Sequence, residues 1–198
     1  MNRFKQGLLF APIILATGIV KAETLNEGAY LTLGAGISKT QNWKAQADSP
    51  QSSFRVGPNL RAAVGHQFCG FRVEFEPSYI RMEKKAAEGS TPKVSGHMRT
   101  LSTLGNLYYH IPVDGNYSPY VGAGAGFSSI RTFTKKNGIK ENDSHVKFAY
   151  QAIAGVSFDI AEQMGLGVDY RYFQTEKLNE INKGIRNHSL NIGLSYYF

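Results

Sequence analysis

The sequence predicts an all-β chain: eight antiparallel strands closed up-and-down into a barrel that crosses a membrane. Three observations predict it. The segment from Arg186 to Phe198 alternates His188, Leu190, Ile192, Leu194, Tyr196 and Phe198 with Asn187, Ser189, Asn191, Gly193, Ser195 and Tyr197, which makes a strand with one apolar face. Seven further segments alternate in the same way. The connections between the eight run long, short, long, short, long, short, long, as they do when the two ends of a barrel face different compartments. Finally, 21 glycines, 11 tyrosines and 12 phenylalanines in 198 residues suit strands better than helices.

Residues 1–22 read as a secretory signal. Arg3 and Lys5 precede an apolar run from Gly7 to Val20, and Val20-Lys21-Ala22 offers short residues for cleavage, so the mature barrel domain is expected to be 23–198. The run is short for a membrane-spanning helix, which needs about 20 residues. Glu23 rather than Cys follows the expected cut, so lipid attachment there is not indicated. The formal charge of +7 falls to +4 without Arg3, Lys5 and Lys21, too mild a balance to argue for nucleic acid. Cys69 is the single cysteine and has no internal disulfide partner.

The strands follow in order. Gly28 to Ser38 alternates Ala29, Leu31, Leu33, Ala35 and Ile37 with smaller or polar residues. A polar segment, 39–53, contains Trp43 and is too long for a tight hairpin. Strand two, Phe54 to Phe68, is imperfect at Pro58, and Cys69-Gly70 is a tight turn. Strand three sets Phe71, Val73, Phe75, Pro77 and Tyr79 against Arg72, Glu74, Glu76 and Ser78. After the polar segment 83–96, strand four runs from about Met98 to Ile111 and turns through Pro112 to Tyr117. Strand five, Ser118 to Phe133, opposes Val121, Ala123, Ala125 and Phe127 to Tyr120, Gly122, Gly124 and Gly126, a glycine face that lets bulky neighbours fill a narrow interior. A third long polar loop is expected at 134–145, then strand six around Phe148 to Phe158. A short turn at about Ile160 to Met164 and strand seven, Gly165 to Phe173, precede a fourth long segment, 174–186.

Periodicity alone does not say which face is inside, and a soluble eight-stranded barrel also alternates. The nearly continuous apolar face, with Tyr or Phe near its ends, favours lipid outside and an aromatic girdle at each interface. The other face mixes Gly, Ser, Asn, Gln and charges of both signs. An aromatic last residue with no tail after it also fits a membrane barrel better than a soluble one. Arg55, Arg61, Arg72 and Arg171 are therefore expected to share the lumen with Glu74, Glu76 and Asp169, as ion pairs in an interior that side chains can fill.

The stretches FRVEFEPSYI, SPYVGAGAGF, FAYQAIAGVSFDI and GLGVDYRYF resemble strands of the surface-antigen family of small outer-membrane proteins, and more broadly OmpA/OmpX-like barrels. The resemblance covers essentially the whole mature chain. It implies residence in the bacterial cell outer membrane, in contact with its lipid. It also implies that Ile192, Leu194, Tyr196 and Phe198 in the last strand close the barrel and are read by the barrel-assembly machinery. A surface-antigen or adhesin-like role with a structural envelope role is the expected function, and a small porin-like channel is the alternative. The long segments carry no comparable match.

Catalytic and cofactor chemistry finds little support. Gly122 to Gly126 lacks the GxGxxG spacing and following helix of a phosphate loop. His188 and Ser189 are strand neighbours pointing to opposite faces, so they cannot share a proton. No metal or cofactor is expected, since the five histidines are scattered and His66 with Cys69 is the only near pair. Lys84, Lys85, Lys93, Lys135, Lys136 and Lys140 lie in the second and third long segments; with Trp43 they are candidates for binding host-cell surface molecules or polyanions, although the same lysines also suit a merely solvated surface. A monomer is expected.

Overall fold

Along every strand of the computed structural model, one parity of residues faces the barrel interior and the other faces outward. The strands are β1 (Gly28–Thr40), β2 (Gly57–Phe68), β3 (Phe71–Glu83), β4 (Ser95–His110), β5 (Tyr117–Lys136), β6 (Ile139–Ala161), β7 (Met164–Thr175) and β8 (Arg186–Tyr197). They close in sequence order, each antiparallel to its neighbours. The structure describes residues 27–41, 56–83, 95–136, 139–176 and 184–198, with the backbone alone at 95–96, 134–136 and 139–143. The expected secretory segment, Trp43, Arg55, Lys84, Lys85 and Lys93 lie outside the described residues. Pairing of β1 with β8, from Tyr30–Tyr197 to Thr40–Asn187, removes the last sheet edge. A spanning sheet needs that closure, because hydrocarbon offers nothing to an unpaired N–H or C=O.

The outward face is apolar over most of its height: Leu33, Leu60, Val64, Phe75, Leu101, Leu107 and Ile192 are all exposed. Such a surface is stable against lipid and costly against water. Aromatic residues collect at its ends. On the side of the short turns, Phe68, Phe71 and Tyr109 form a chain with ring centroids 6.4 and 5.1 Å apart, and Tyr196 meets Phe198 edge-on at 5.3 Å. Toward the other end, Phe127 meets Phe148 at 6.0 Å.

The connections alternate in side, but one differs from expectation. Segment 134–145 is not a loop: β5 runs on to Lys136 and β6 begins at Ile139, paired from Thr134–Glu141 to Lys136–Ile139. These are the longest strands, 20 and 23 residues. β4 likewise reaches back to Ser95 and β3 on to Glu83, shortening the second polar segment. On the opposite side, the Cys69-Gly70 turn has φ of 46° and 78°, both in the left-handed region, matching the turn type that continues the twist of a hairpin.

The wall is interrupted at a proline. Pro77 has no N–H to give, and the β2–β3 ladder passes from Arg61–Ser78 to Val64–Phe75 without the two intervening pairs. On the outside, the lapse adjoins a groove of about 550 Å³ lined by Leu33, Ala35, Leu60, Ala62, Pro77 and Tyr79, among others.

Candidate functional site

Inward parity brings charged side chains from β2, β3 and β7 together in the lumen. Arg171 lies opposite Glu76 with Nη1 2.8 and 2.7 Å from the two carboxylate oxygens, and its Nε donates to Asp169 Oδ1 at 2.8 Å. Arg61 Nη2 donates to Asp169 Oδ2 at 2.9 Å, while its Nη1 stands 3.5 Å from Glu76. Asn191 and Tyr120 also donate to Asp169, at 2.8 and 3.3 Å. Nearer the short turns, Glu74 accepts the hydroxyls of Tyr30 (2.9 Å) and Tyr108 (2.7 Å) and lies 3.4 Å from Arg72 Nε. The Arg72 guanidinium sits over the Tyr108 ring at 4.1 Å. Three arginines thus meet three carboxylates, all nearly inaccessible, and a balanced set is what a low-dielectric interior tolerates.

Small residues make the room. A Cβ on Gly34 or on Gly193 would stand 2.7 Å from the Arg61 guanidinium, and one on Gly122 would stand 2.6 Å from the Tyr108 ring. The glycine face thus has a packing function, leaving space for large neighbours on adjacent strands.

Above the network, toward the long connections, apolar side chains join buried polar ones such as Asn59, Thr100 and Asn187 in the lumen. Ile80, Met82, Met98, Ile130 and Ile185 form one buried cluster, and Leu104, Ala149 and Phe173 another. A cavity of only about 30 Å³, lined by Arg61, Glu76, Arg171, Gln151 and Asn187 among others, remains at the network. That is room on the scale of one water. The arrangement holds charges in fixed positions and, among the described residues, packs the lumen at this level.

The structure places the sequence-predicted residues as follows. Arg61, Arg72, Glu74, Glu76, Asp169 and Arg171 converge in the lumen, in the two subclusters just described. Ile192, Leu194, Tyr196 and Phe198 face outward on β8, and the Phe198 N–H donates to the Ala29 carbonyl at 3.0 Å across the closure. Lys135 and Lys140 are backbone partners in the extended hairpin, and Lys136 pairs with Ile139. His188 is outward, hydrogen-bonded through Nδ1 to the Tyr170 hydroxyl, while Ser189 is inward beside Asn191. Sequence reasoning missed Tyr30, Tyr108, Tyr120, Gln151 and Asn191, which complete the network. Their inward parity was the available signal, and the partners themselves lie on strands far apart in sequence.

These features have a match among known proteins. The family model described as the outer membrane protein beta-barrel domain matches residues 8–198. The chain belongs to that family. An outer membrane protein of Gluconacetobacter diazotrophicus is 25% identical over 99% of this chain, which spans 64% of that relative's length. Opacity protein opA65 of Neisseria gonorrhoeae is 25% identical over 70% of this chain and 77% of its own. In fold, the chain is similar to Neisserial surface protein A, with a TM-score of 0.60, 20% identity and coverage of 86% of this chain and 97% of that one. It is similar too to Ail, the attachment invasion locus protein of Yersinia pestis, with a TM-score of 0.53, 15% identity and coverage of 88% and 100%. As an outer membrane protein beta-barrel domain, the chain resides in the bacterial outer membrane, and the end bearing the long connections is the outward end.

Proposed function

We propose that this barrel is a surface-display protein, an adhesin-like surface antigen with a structural role in the envelope, whose binding is done by its four outward connections. The closed lumen is the observation that carries the reading. With six balanced charges and an apolar layer filling the interior, the wall is a rigid scaffold and recognition falls to what it presents. Relatedness to an opacity protein supports the same reading. It also weighs against an enzyme, as does the separation of His188 and Ser189 on opposite faces of β8. Export with removal of 1–22 and recognition of β8 by the assembly machinery belong to the same proposal.

The ligand class proposed is a polyanionic host-cell surface polymer, met by Lys84, Lys85, Lys93, Lys135, Lys136 and Lys140 with Trp43 as an aromatic contact. Cells displaying the barrel with all six lysines changed to Gln are expected to lose most adhesion to a heparin-like polymer at low salt and matched surface level. Unchanged adhesion would leave those lysines as ordinary solvated surface.

A further inference from the structure

The outward face of the barrel carries a row of arginines that the display function does not use. Register sets Arg81 of β3 opposite Arg99 of β4, and Arg99 opposite Arg131 of β5, all three exposed. Directly paired residues have Cα atoms about 4.5–5.5 Å apart, so three guanidinium stems share a short arc of wall, where like charges directly opposite one another destabilise a sheet. Among the described residues no carboxylate forms an ion pair with any of them. Glu83, the acid on the same face, lies one step beyond Arg81 and opposite His97. The row is anchored as well as charged: Arg99 lies over the Phe133 ring at 5.2 Å, and His97 stacks on the same ring at 4.5 Å.

Immediately below the row lies the groove at the Pro77 lapse. Tyr79 and Leu101, each two residues from an arginine on the same strand and face, line its upper part, and Ala35, Ala62 and Pro77 line the rest. Cationic rim and apolar groove therefore adjoin at the outward end of the membrane-spanning wall. We propose that this face is a binding site for one phosphorylated lipid of the outer leaflet, its headgroup phosphate held by Arg81, Arg99 and Arg131 and an acyl chain laid in the groove. Guanidinium forks suit phosphate oxygens, and an anion there removes the mutual repulsion of the row. The chemistry needed is phosphate plus acyl chain in one molecule, which a soluble polyanion does not supply.

Native mass spectrometry of the full-length barrel in detergent tests this with two probes, an acylated diglucosamine bis-phosphate lipid and the same lipid without its phosphates. The folded protein is expected to retain the phosphorylated lipid at least about tenfold better. The R81Q/R99Q/R131Q variant, checked for folding by heat-modifiable mobility, is expected to lose that preference. Ala62→Phe, which fills the groove, is expected to weaken retention of both lipids. Equal retention of the two lipids by the unaltered protein would overturn the proposal without any variant. So would competition by inorganic phosphate at the lipid's own concentration, which would mark a site for soluble anions.

Discussion

At the scale of single residues, the interior is held by groups that cannot be removed one at a time. Glu76 is 1% exposed and accepts both bonds from Arg171 Nη1, so Glu76→Gln leaves two buried guanidiniums, Arg61 and Arg171, sharing the single carboxylate of Asp169. The expected loss is about 3–5 kcal/mol in reversible urea unfolding from lipid vesicles, and E76L/R171M together are expected to cost less than the two single changes added. Additive costs would mean the pair does not act as a unit. Cys69 is a residue of the opposite kind. It occupies a left-handed backbone position, φ 46°, where a β-carbon is strained and Asn or Gly is favoured. Its thiol is exposed and free, so Cys69→Asn removes no buried contact. The variant is expected to be more stable by about 0.5–1 kcal/mol, read as a higher urea midpoint at unchanged slope. A lower midpoint would show that the turn depends on the cysteine itself.

At the scale of the strand, parity decides what a position faces and height decides what a charge costs there. Val64, between Leu31 of β1 and Phe75 of β3, sits near the middle of the apolar band, whereas Ile111 stands at the short-turn end beyond Tyr109. Val64→Arg is expected to cost about 2–4 kcal/mol in vesicle unfolding and Ile111→Arg at most about 1. Equal costs would remove the membrane assignment of the face. This parity was legible in the sequence because a period of two is local: Phe71, Val73 and Phe75 against Arg72, Glu74 and Glu76 require no knowledge of any other strand. The reach of the strands was less legible. Composition made 134–145 read as a loop, since Lys, Asn, Glu and Asp are poor strand formers, yet pairing between β5 and β6 carries those residues in a hairpin. Asn137-Gly138, a two-residue hairpin signal between the arms, was the missed cue. The lumen partners were illegible for a different reason. Arg171 meets Glu76 across 95 residues of sequence, and only the closed register fixes that meeting.

At the scale of the whole molecule, eight strands set the width of the interior and the side chains decide whether it conducts. A barrel of this strand number has an interior that side chains can fill. Here it is filled twice, by the Arg61, Arg171, Glu76 and Asp169 network and by the apolar layer of Ile80, Met82, Met98, Ile130 and Ile185 above it. The two layers oppose permeation by different means. An ion entering the network must displace charges already paired at 2.7–2.9 Å, and an ion crossing the layer above it must pass between the buried side chains of Ile80, Met82, Met98, Ile130 and Ile185. Opening a path therefore requires both to move together inside a closed barrel. Refolded protein in planar bilayers is accordingly expected to give no stable, stepwise conductance at moderate voltage. A large, persistent channel would replace the display reading with a small porin. In that case Ile80→Asp and Met98→Asp, placed in the apolar layer, would change its current and identify the gate.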